Sequence, residues 1–222
     1  MLRVSCLTKS YNTSTILNSF SLHLNPKEIL FLVGPSGIGK SSALRCIANL
    51  DRYESGEITF YDKTPQQLGF CEWRRHITYV PQHRVSFKGT PMELFKRSLG
   101  LRSRRNVSKS TETQRLGEYL TICKSMGLNQ DSIQSQQWVE LSGGQAQRAI
   151  IALCIAIRPD VLLLDEPSSS CDQSSTLLVE QAIKDSGIAA IWVSHDPTQP
   201  HRVGGRIMNM SPPKGSPPVR LH

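Results

Sequence analysis

The fold is decided by the stretch Gly34-Pro35-Ser36-Gly37-Ile38-Gly39-Lys40-Ser41-Ser42, which follows an apolar strand pattern and opens a helix pattern. It fits Gly-x-x-x-x-Gly-Lys-Ser/Thr, in which glycines let successive backbone N–H groups converge at a helix N-terminus, where negative charge is favoured. The stretch predicts a phosphate-binding loop. Lys40 would reach the β- and γ-phosphates, Ser41 would offer its hydroxyl to Mg²⁺, and Ser42 would assist at the α-phosphate. The alternative is a Gly-rich strand-to-helix turn without a ligand.

Three continuous apolar runs, 29–33, 161–164 and 189–193, predict strands around this loop. Continuous rather than alternating apolarity is typical of parallel strands that are covered on both faces. The segments 2–8 and 57–61 mix apolar and polar residues, as expected for an exposed antiparallel edge. The sequence therefore predicts an α/β fold with a mixed sheet and an antiparallel β edge.

A helical and polar insertion is predicted where strand patterns are missing, with helices at 92–99 and 113–126 and a further start near Asp131. We expect one domain over 1–210, with this helical subdomain at about 83–155. The Pro-rich end, 211–222, is predicted to be disordered.

Composition indicates one ordinary globular domain. The 222 residues are 38% hydrophobic and carry a formal charge of +8. The longest run without a charged or strongly polar residue, 149–157, is far short of the roughly 20 residues of a membrane-spanning helix, and the N-terminus does not resemble a signal peptide. We expect a cytoplasmic protein. The six cysteines form no Cys-x-x-Cys pair and are predicted to be reduced thiols, mostly buried.

Two acids follow the second apolar run, in the sequence Leu164-Asp165-Glu166-Pro167. A buried strand that ends in a carboxylate places it at the rim of the sheet, beside the phosphate loop. Asp165 would hold Mg²⁺, directly or through water. Glu166 is the candidate general base for an attacking water. The alternative is two acids that simply end a strand.

The segment Leu141-Ser142-Gly143-Gly144-Gln145 identifies the kind of phosphate-binding protein, because the chain resembles the ATP-binding-cassette (ABC) ATPases, whose signature is LSGGQ. The resemblance extends over nearly the whole chain. It implies that the signature binds the γ-phosphate of an ATP held by an opposite copy, so that two cassettes close as a head-to-tail dimer. A Gly-Gly helix start without a ligand is the alternative.

Other residues match the family in order along the chain. Tyr11 resembles the aromatic that stacks on adenine, Gln82 the glutamine that contacts Mg²⁺ and water, and His195 the histidine that touches the γ-phosphate. The segment 169–172 keeps the family's aspartate, Asp172, but departs from its Ala-Leu. The implied catalytic residues are Lys40, Gln82, Glu166 and His195, and the implied metal ligands are Ser41, Gln82 and Asp165. The implied contacts to ATP are Tyr11, Gly34, Pro35, Ser36, Gly37, Ile38, Gly39, Lys40, Ser41, Ser42, Ser142, Gly143, Gly144 and Gln145.

The resemblance implies the ATP-hydrolysing subunit of an ABC transporter. Its partners would be a separate polytopic transmembrane subunit and a second cassette, and it would lie peripherally on the cytoplasmic face of a membrane. By overall resemblance, the short cassette, with Glu72-Trp73-Arg74-Arg75 before the Gln82 segment, is similar to the small cassettes of the bacterial iron-export and plant aluminium-tolerance group, which favours export of a metal ion such as iron. Phosphate-type uptake, an assembly role of the iron–sulfur-cluster type, and DNA or RNA handling remain alternatives.

Ten of the 26 Lys and Arg residues lie in the segment 84–124, with three acids. Such a segment suits acidic loops of a membrane subunit, anionic headgroups, or simply solvent. Nucleic acid is not expected as a partner, because Phe87, Phe95 and Tyr119 are too few for a stacking platform.

Overall fold

The computed structural model describes residues 1–12, 14–83, 85–101 and 109–211. Most of the predicted tail, from 212 onward, lies outside the described residues, as do Arg84 and the part of the basic segment at 102–108. The strands are β1 (Leu2–Tyr11), β2 (Ser14–Leu24), β3 (Ile29–Val33), β4 (Ser55–Phe60), β5 (Ile77–Val80), β6 (Val161–Asp165), β7 (Ala189–Val193) and β8 (Arg206–Asn209). The helices are α1 (Lys40–Ile47), α2 (Pro65–Leu68), α3 (Phe70–His76), α4 (Pro91–Leu99), α5 (Lys109–Ser125), α6 (Gln130–Ser135), α7 (Gly143–Ala156), α8 (Gln173–Ser186) and α9 (Gln199–Val203).

The central sheet has the order β5-β6-β7-β3-β8, with parallel pairing between neighbours. All three strands predicted from continuous apolarity belong to it. Successive side chains point to opposite faces of a strand. On β6, Leu162 and Leu164 enter one hydrophobic core, whereas Val161 and Leu163 enter the other. The apolar runs are continuous because both faces of the sheet are covered.

The antiparallel strands form a sheet of their own, in the order β2-β1-β4. Leu2 of β1 pairs with Leu24 of β2 on one side and with Phe60 of β4 on the other. The two predicted antiparallel segments are confirmed and β2 is added to them, but they form a sheet of their own rather than the edge of one mixed sheet. This sheet shares a core with Leu44 and Ile47 of α1, so it holds the helix that follows the phosphate loop.

The predicted helical insertion is present, since α4, α5, α6 and α7 lie between β5 and β6. Helix α4 begins after Thr90, whose side chain accepts a hydrogen bond from the Glu93 N–H in a capping box. Phe95 of α4 stacks on Tyr119 of α5, with ring centroids 4.5 Å apart, and both side chains are fully buried. In the part of the chain that the structure describes, no helix combines the length and apolar character needed to cross a membrane.

Candidate functional site: a phosphate cleft and a separate signature segment

The predicted phosphate-binding loop connects β3 to α1, and its glycines have the backbone geometry that the turn requires. Gly37 and Gly39 have φ angles of 77° and 103°, in the left-handed region that favours glycine. A Cβ on Gly39 would lie 2.8 Å from Ile16 Cγ2, so a larger residue would push β2 away. Gly39 also precedes the first residue of α1, which places the loop at a helix N-terminus.

Lys40 folds back over this loop. Its Nζ donates hydrogen bonds to the carbonyl oxygens of Gly34 and Pro35, each at 2.8 Å. Burial lowers the pKa of Lys40, and the nearby carboxylates of Glu166 and Asp165 act in the opposite direction. A partly desolvated cation is therefore held at the loop, where an anion would stabilise it.

Asp165 ends β6 and is almost completely buried. The Ser41 hydroxyl donates to its Oδ1 at 2.8 Å, and the Tyr79 hydroxyl donates to its Oδ2 at 2.9 Å. Burial, followed by the charge of Asp165, raises the pKa of Tyr79, so this phenol stays a hydrogen-bond donor. Tyr79 was not predicted as a site residue. The signal that could have identified Tyr79 is an aromatic side chain with a hydroxyl group in β5, the strand that pairs with β6.

The donor set at this point fits Mg²⁺. The predicted ligands Ser41, Gln82 and Asp165 offer hydroxyl, amide and carboxylate oxygens, the hard ligands that Mg²⁺ prefers. Among the residues described, no cluster of three or more His, Cys, Asp or Glu could hold a metal ion. Ser41 and Asp165 bring a hydroxyl and a carboxylate oxygen together beside the phosphate loop, a donor set that could hold a divalent cation.

Glu166 follows β6 and lies between two of the other predicted residues. Gln82 Nε2 donates to its Oε2 at 2.7 Å, and His195 Nε2 lies 2.6 Å from its Oε1. Its φ of 48° is in the left-handed region, which is unusual for a residue with a side chain and is concentrated at functional sites. The fold thus brings Gln82, Glu166 and His195 into one contact group.

These residues share a cleft of about 260 Å³. Its lining is Tyr11, Ile16, Ser36, Gly37, Gly39, Lys40, Ser41, Ser42, Gln82, Glu166 and His195. Tyr11, which is 49% exposed, is the tyrosine of this lining. Of the other predicted loop residues, Gly34 and Pro35 supply the carbonyls that hold Lys40, and Ile38 packs into the core.

The signature segment is a separate surface. Ser142 caps α7, its hydroxyl accepting from the Gln145 N–H while the Gln145 side chain accepts from the Ser142 N–H. A Cβ on Gly144 would lie 2.8 Å from the Ser170 carbonyl oxygen, whereas one on Gly143 would only touch Ser170 Cβ at 3.7 Å. The described residues that line the cleft include none of the four signature residues 142–145.

Comparison with known proteins gives the family. The model of the family described as ABC transporter matches residues 17–169. Among curated relatives, the sulfate/thiosulfate import ATP-binding protein CysA of Xanthomonas campestris pv. campestris is 31% identical over 214 residues, which are 93% of this chain and 60% of that protein. The CysA protein of Nitrosomonas europaea is 32% identical over 92% of this chain and 56% of its own length. The chain thus spans about 60% of the length of these relatives.

Solved structures agree with this result. A dimeric bacterial ABC transporter cassette superposes with a TM-score of 0.81 at 27% identity, covering 95% of this chain and 94% of that one. The same coverage, identity and TM-score hold for a dimeric post-hydrolysis cassette bound to ADP and Pi. The chain therefore belongs to the ABC transporter family and has the fold of an ABC transporter cassette.

Proposed function

We propose that the cleft binds Mg·ATP and hydrolyses it to energise transport, and that residues 1–210 act as one ATPase domain with a helical subdomain at about 83–155. The observation that carries this is that Lys40, Glu166 and His195, from separate parts of the chain, line one cleft. Asp165 lies beside it, hydrogen-bonded to the lining residue Ser41. Phosphoryl transfer to water requires a cation at the phosphate, a buried acid beside a hydroxyl and a carboxylate held in position. Lys40, Asp165 and Glu166 would supply these three groups.

In this proposal Glu166 is the general base, and Gln82 and His195 hold its carboxylate in position through their contacts. Lys40 and the loop N–H groups stabilise the negative charge on the β- and γ-phosphates. Ser41, Asp165 and Gln82 would hold Mg²⁺, which supplies further charge stabilisation at the phosphate oxygens. Tyr11 would contact the base at the mouth of the cleft.

The second half of the site would come from another copy of the chain. The segment 142–145 offers a hydroxyl, backbone N–H groups and the N-terminal end of α7, which together suit a phosphate. Because it lies apart from this chain's own cleft, we propose that two cassettes close head-to-tail over two ATP molecules and open after hydrolysis. Such closure can do work on a partner.

The partner we propose is a separate polytopic transmembrane subunit, with this chain peripheral on the cytoplasmic face of a membrane. The helical insertion could contact acidic loops or anionic headgroups through its cations. Those in the described part of the chain are Lys88, Lys96, Arg97, Arg115 and Lys124. Two relatives have sulfate/thiosulfate import in their names, so we propose uptake of a small oxyanion of that type as the transport reaction.

Metal-ion export, such as that of iron, is the weaker candidate, because it depends on the overall resemblance of a short cassette that carries the segment 72–75, whereas the relatives' names give sulfate/thiosulfate import. Packing explains that segment in the structure. Trp73 is fully buried and donates its indole N–H to the Ile47 carbonyl at 2.9 Å, and Arg75 pairs with Glu72 at 2.7 Å.

The test is to purify the tagged chain from gently solubilised native membranes, to identify co-purifying proteins by mass spectrometry and to assay ATP hydrolysis on the same material. We expect a stoichiometric polytopic subunit and an ATPase activity that Lys40→Ala abolishes. Recovery with scaffold proteins or nucleic acid, from the soluble fraction alone, would contradict the transporter role while leaving the ATPase chemistry intact. An active Lys40→Ala protein would contradict the chemistry itself.

A further inference from the structure

Tyr11, at the mouth of the cleft, is held by contacts outside the cleft. It is the last residue of β1, and its hydroxyl donates to Asp51 Oδ2 at 3.0 Å. The two residues are 40 positions apart in the chain. This hydrogen bond fixes the rotation of the phenol ring, which an exposed tyrosine would otherwise sample freely.

Asp51 is in turn fixed by Arg45. The guanidinium donates through Nε to Oδ2 at 3.0 Å and through Nη2 to Oδ1 at 2.8 Å, a two-point contact of defined geometry. The hydrogen bonds from Arg45 lower the pKa of Asp51, so it remains an ionised acceptor. Arg45 lies on α1, the helix that begins at Lys40. The contacts therefore link the phosphate-binding helix to the aromatic ring.

A second contact covers one face of the ring. Lys9 Nζ lies over the Tyr11 ring, 4.4 Å from its centroid, and also donates to the Arg52 carbonyl oxygen at 2.6 Å. Asp51 and Arg52 thus anchor both the hydroxyl of Tyr11 and the cation against its face. The ring therefore carries a cation on one face, while the residue remains 49% exposed and lines the cleft.

We infer that Asp51, held by Arg45, is a positioning residue that pre-orients Tyr11 for stacking on the nucleotide base. The inference depends on the proposed function, in which Tyr11 contacts the base. An aromatic ring fixed in its bound orientation loses less freedom when a base stacks on it, so affinity for the base increases without a new contact. The phosphate end of the cleft does not depend on this orientation.

The test compares Mg²⁺-ADP with Mg²⁺-pyrophosphate, which lacks the base, by titration calorimetry on the whole chain. We expect Asp51→Ala to weaken ADP about five-fold, the equivalent of one ordinary hydrogen bond, and to leave pyrophosphate affinity unchanged. Tyr11→Phe should weaken ADP by the same factor, and the double variant should be no weaker than either single one. The matched control is Glu54→Ala, since Glu54 accepts from the Ser10 N–H on the same strand and should leave both affinities unchanged.

Equal loss for ADP and pyrophosphate, or additive losses in the double variant, would overturn the positioning role. Should Asp51→Ala fail to fold, Tyr11→Phe breaks the same hydrogen bond without disturbing Arg45. Tyr11→Ala distinguishes the proposed contact of Tyr11 with the base from the proposed positioning of Tyr11 by Asp51. Unchanged ADP affinity in Tyr11→Ala would refute the base contact, whereas a loss there without a loss in Asp51→Ala and Tyr11→Phe would refute the positioning alone.

Discussion

The cleft and the signature segment both suit phosphate, but they are built differently. In the cleft, side chains from distant parts of the chain hold each other, as where Ser41 and Tyr79 both donate to Asp165. In the signature segment the contacts are local, with Ser142 and Gln145 capping α7 and Gly144 lying close to the Ser170 backbone. The cleft is an organised group of side chains, whereas the signature is a shaped stretch of backbone.

This difference indicates that the cleft and the signature segment have separate roles. In the proposed function, the cleft binds a nucleotide and holds the groups that react with it within one chain. The signature completes a site that another copy presents. Substitutions in the cleft should therefore change nucleotide binding by the single chain, or the chemistry that follows closure of the dimer. Substitutions in the signature should act only when two chains meet.

The largest effect is expected for Glu166→Gln, which keeps the size of the side chain but removes its basicity. Loss of a general base should lower the rate of hydrolysis by about 10²–10⁴-fold, while ATP still binds. Phosphate release under saturating ATP measures the rate, and calorimetry measures the binding. Hydrolysis at the parent rate would show that another group takes the proton.

Gly144→Ala probes the backbone surface. Its new Cβ would lie 2.8 Å from the Ser170 carbonyl oxygen, so the signature must shift, and misplacement on this scale can cost about 10²-fold in rate. The matched control is Gly143→Ala, whose Cβ would make an ordinary contact of 3.7 Å. We expect Gly144→Ala to lower hydrolysis far more than the control does and to leave ADP affinity of the single chain unchanged. Weakened ADP binding would contradict the claim that the cleft and the signature segment have separate roles.

Tyr79→Phe removes one of the two donors that hold Asp165. We expect the Mg²⁺ concentration required for half-maximal ADP binding to rise about five-fold, because the carboxylate loses its orientation. Tyr53→Phe is the control, since Tyr53 packs against the same hydrophobic core as Tyr79, whereas the described hydrogen bonds to Asp165 come from Ser41 and Tyr79. An unchanged Mg²⁺ requirement would show that the Ser41 contact alone positions Asp165.

The smallest effect concerns Asp196, the residue after His195. Hydrogen bonds from Thr198 and Arg202 lower its pKa from 3.8 to about 2. Its contribution to folding is therefore present above pH 3.8 and is lost as the pH falls towards 2. Because the side chain is 43% exposed, we expect only roughly 0.5 kcal/mol from it at neutral pH.

Urea unfolding of the parent and Asp196→Asn proteins at pH 7 and near pH 2.5 measures this contribution. The difference between the two proteins should shrink in acid. Asp185→Asn, which alters a carboxylate that accepts from the Gln181 amide, controls for a general loss of surface charge. A difference that stays constant with pH would contradict the assigned ionisation.

Much of the fold could be predicted because its signals are local. The runs that became β3, β6 and β7 are continuous, and the glycines of the phosphate loop are required by its backbone. Strand β2 was not predicted, since its burial pattern alternates irregularly and its pairing with β1 shifts register three times. A strand with shifting register lacks the period-2 pattern on which prediction depends.

The residues of the site also differ in how well they could be predicted from the sequence. Lys40, Asp165 and Glu166 stand in motifs with recognisable neighbours. The partners Tyr79 and Asp51 could not be predicted, because their roles arise from hydrogen bonds that span 86 and 40 positions of the chain. Only the packing of β5 beside β6, and of β1 beside the segment after α1, brings these groups together.

The most direct test of the division between cleft and signature is the mass of the Glu166→Gln protein in solution, measured by light scattering after size-exclusion chromatography, with and without Mg·ATP. We predict a monomer without nucleotide and a dimer with it, and we predict that the Glu166→Gln/Gly144→Ala protein binds ATP but stays largely monomeric. A Glu166→Gln protein that remains monomeric while saturated with ATP would contradict the claim that a second chain completes the site.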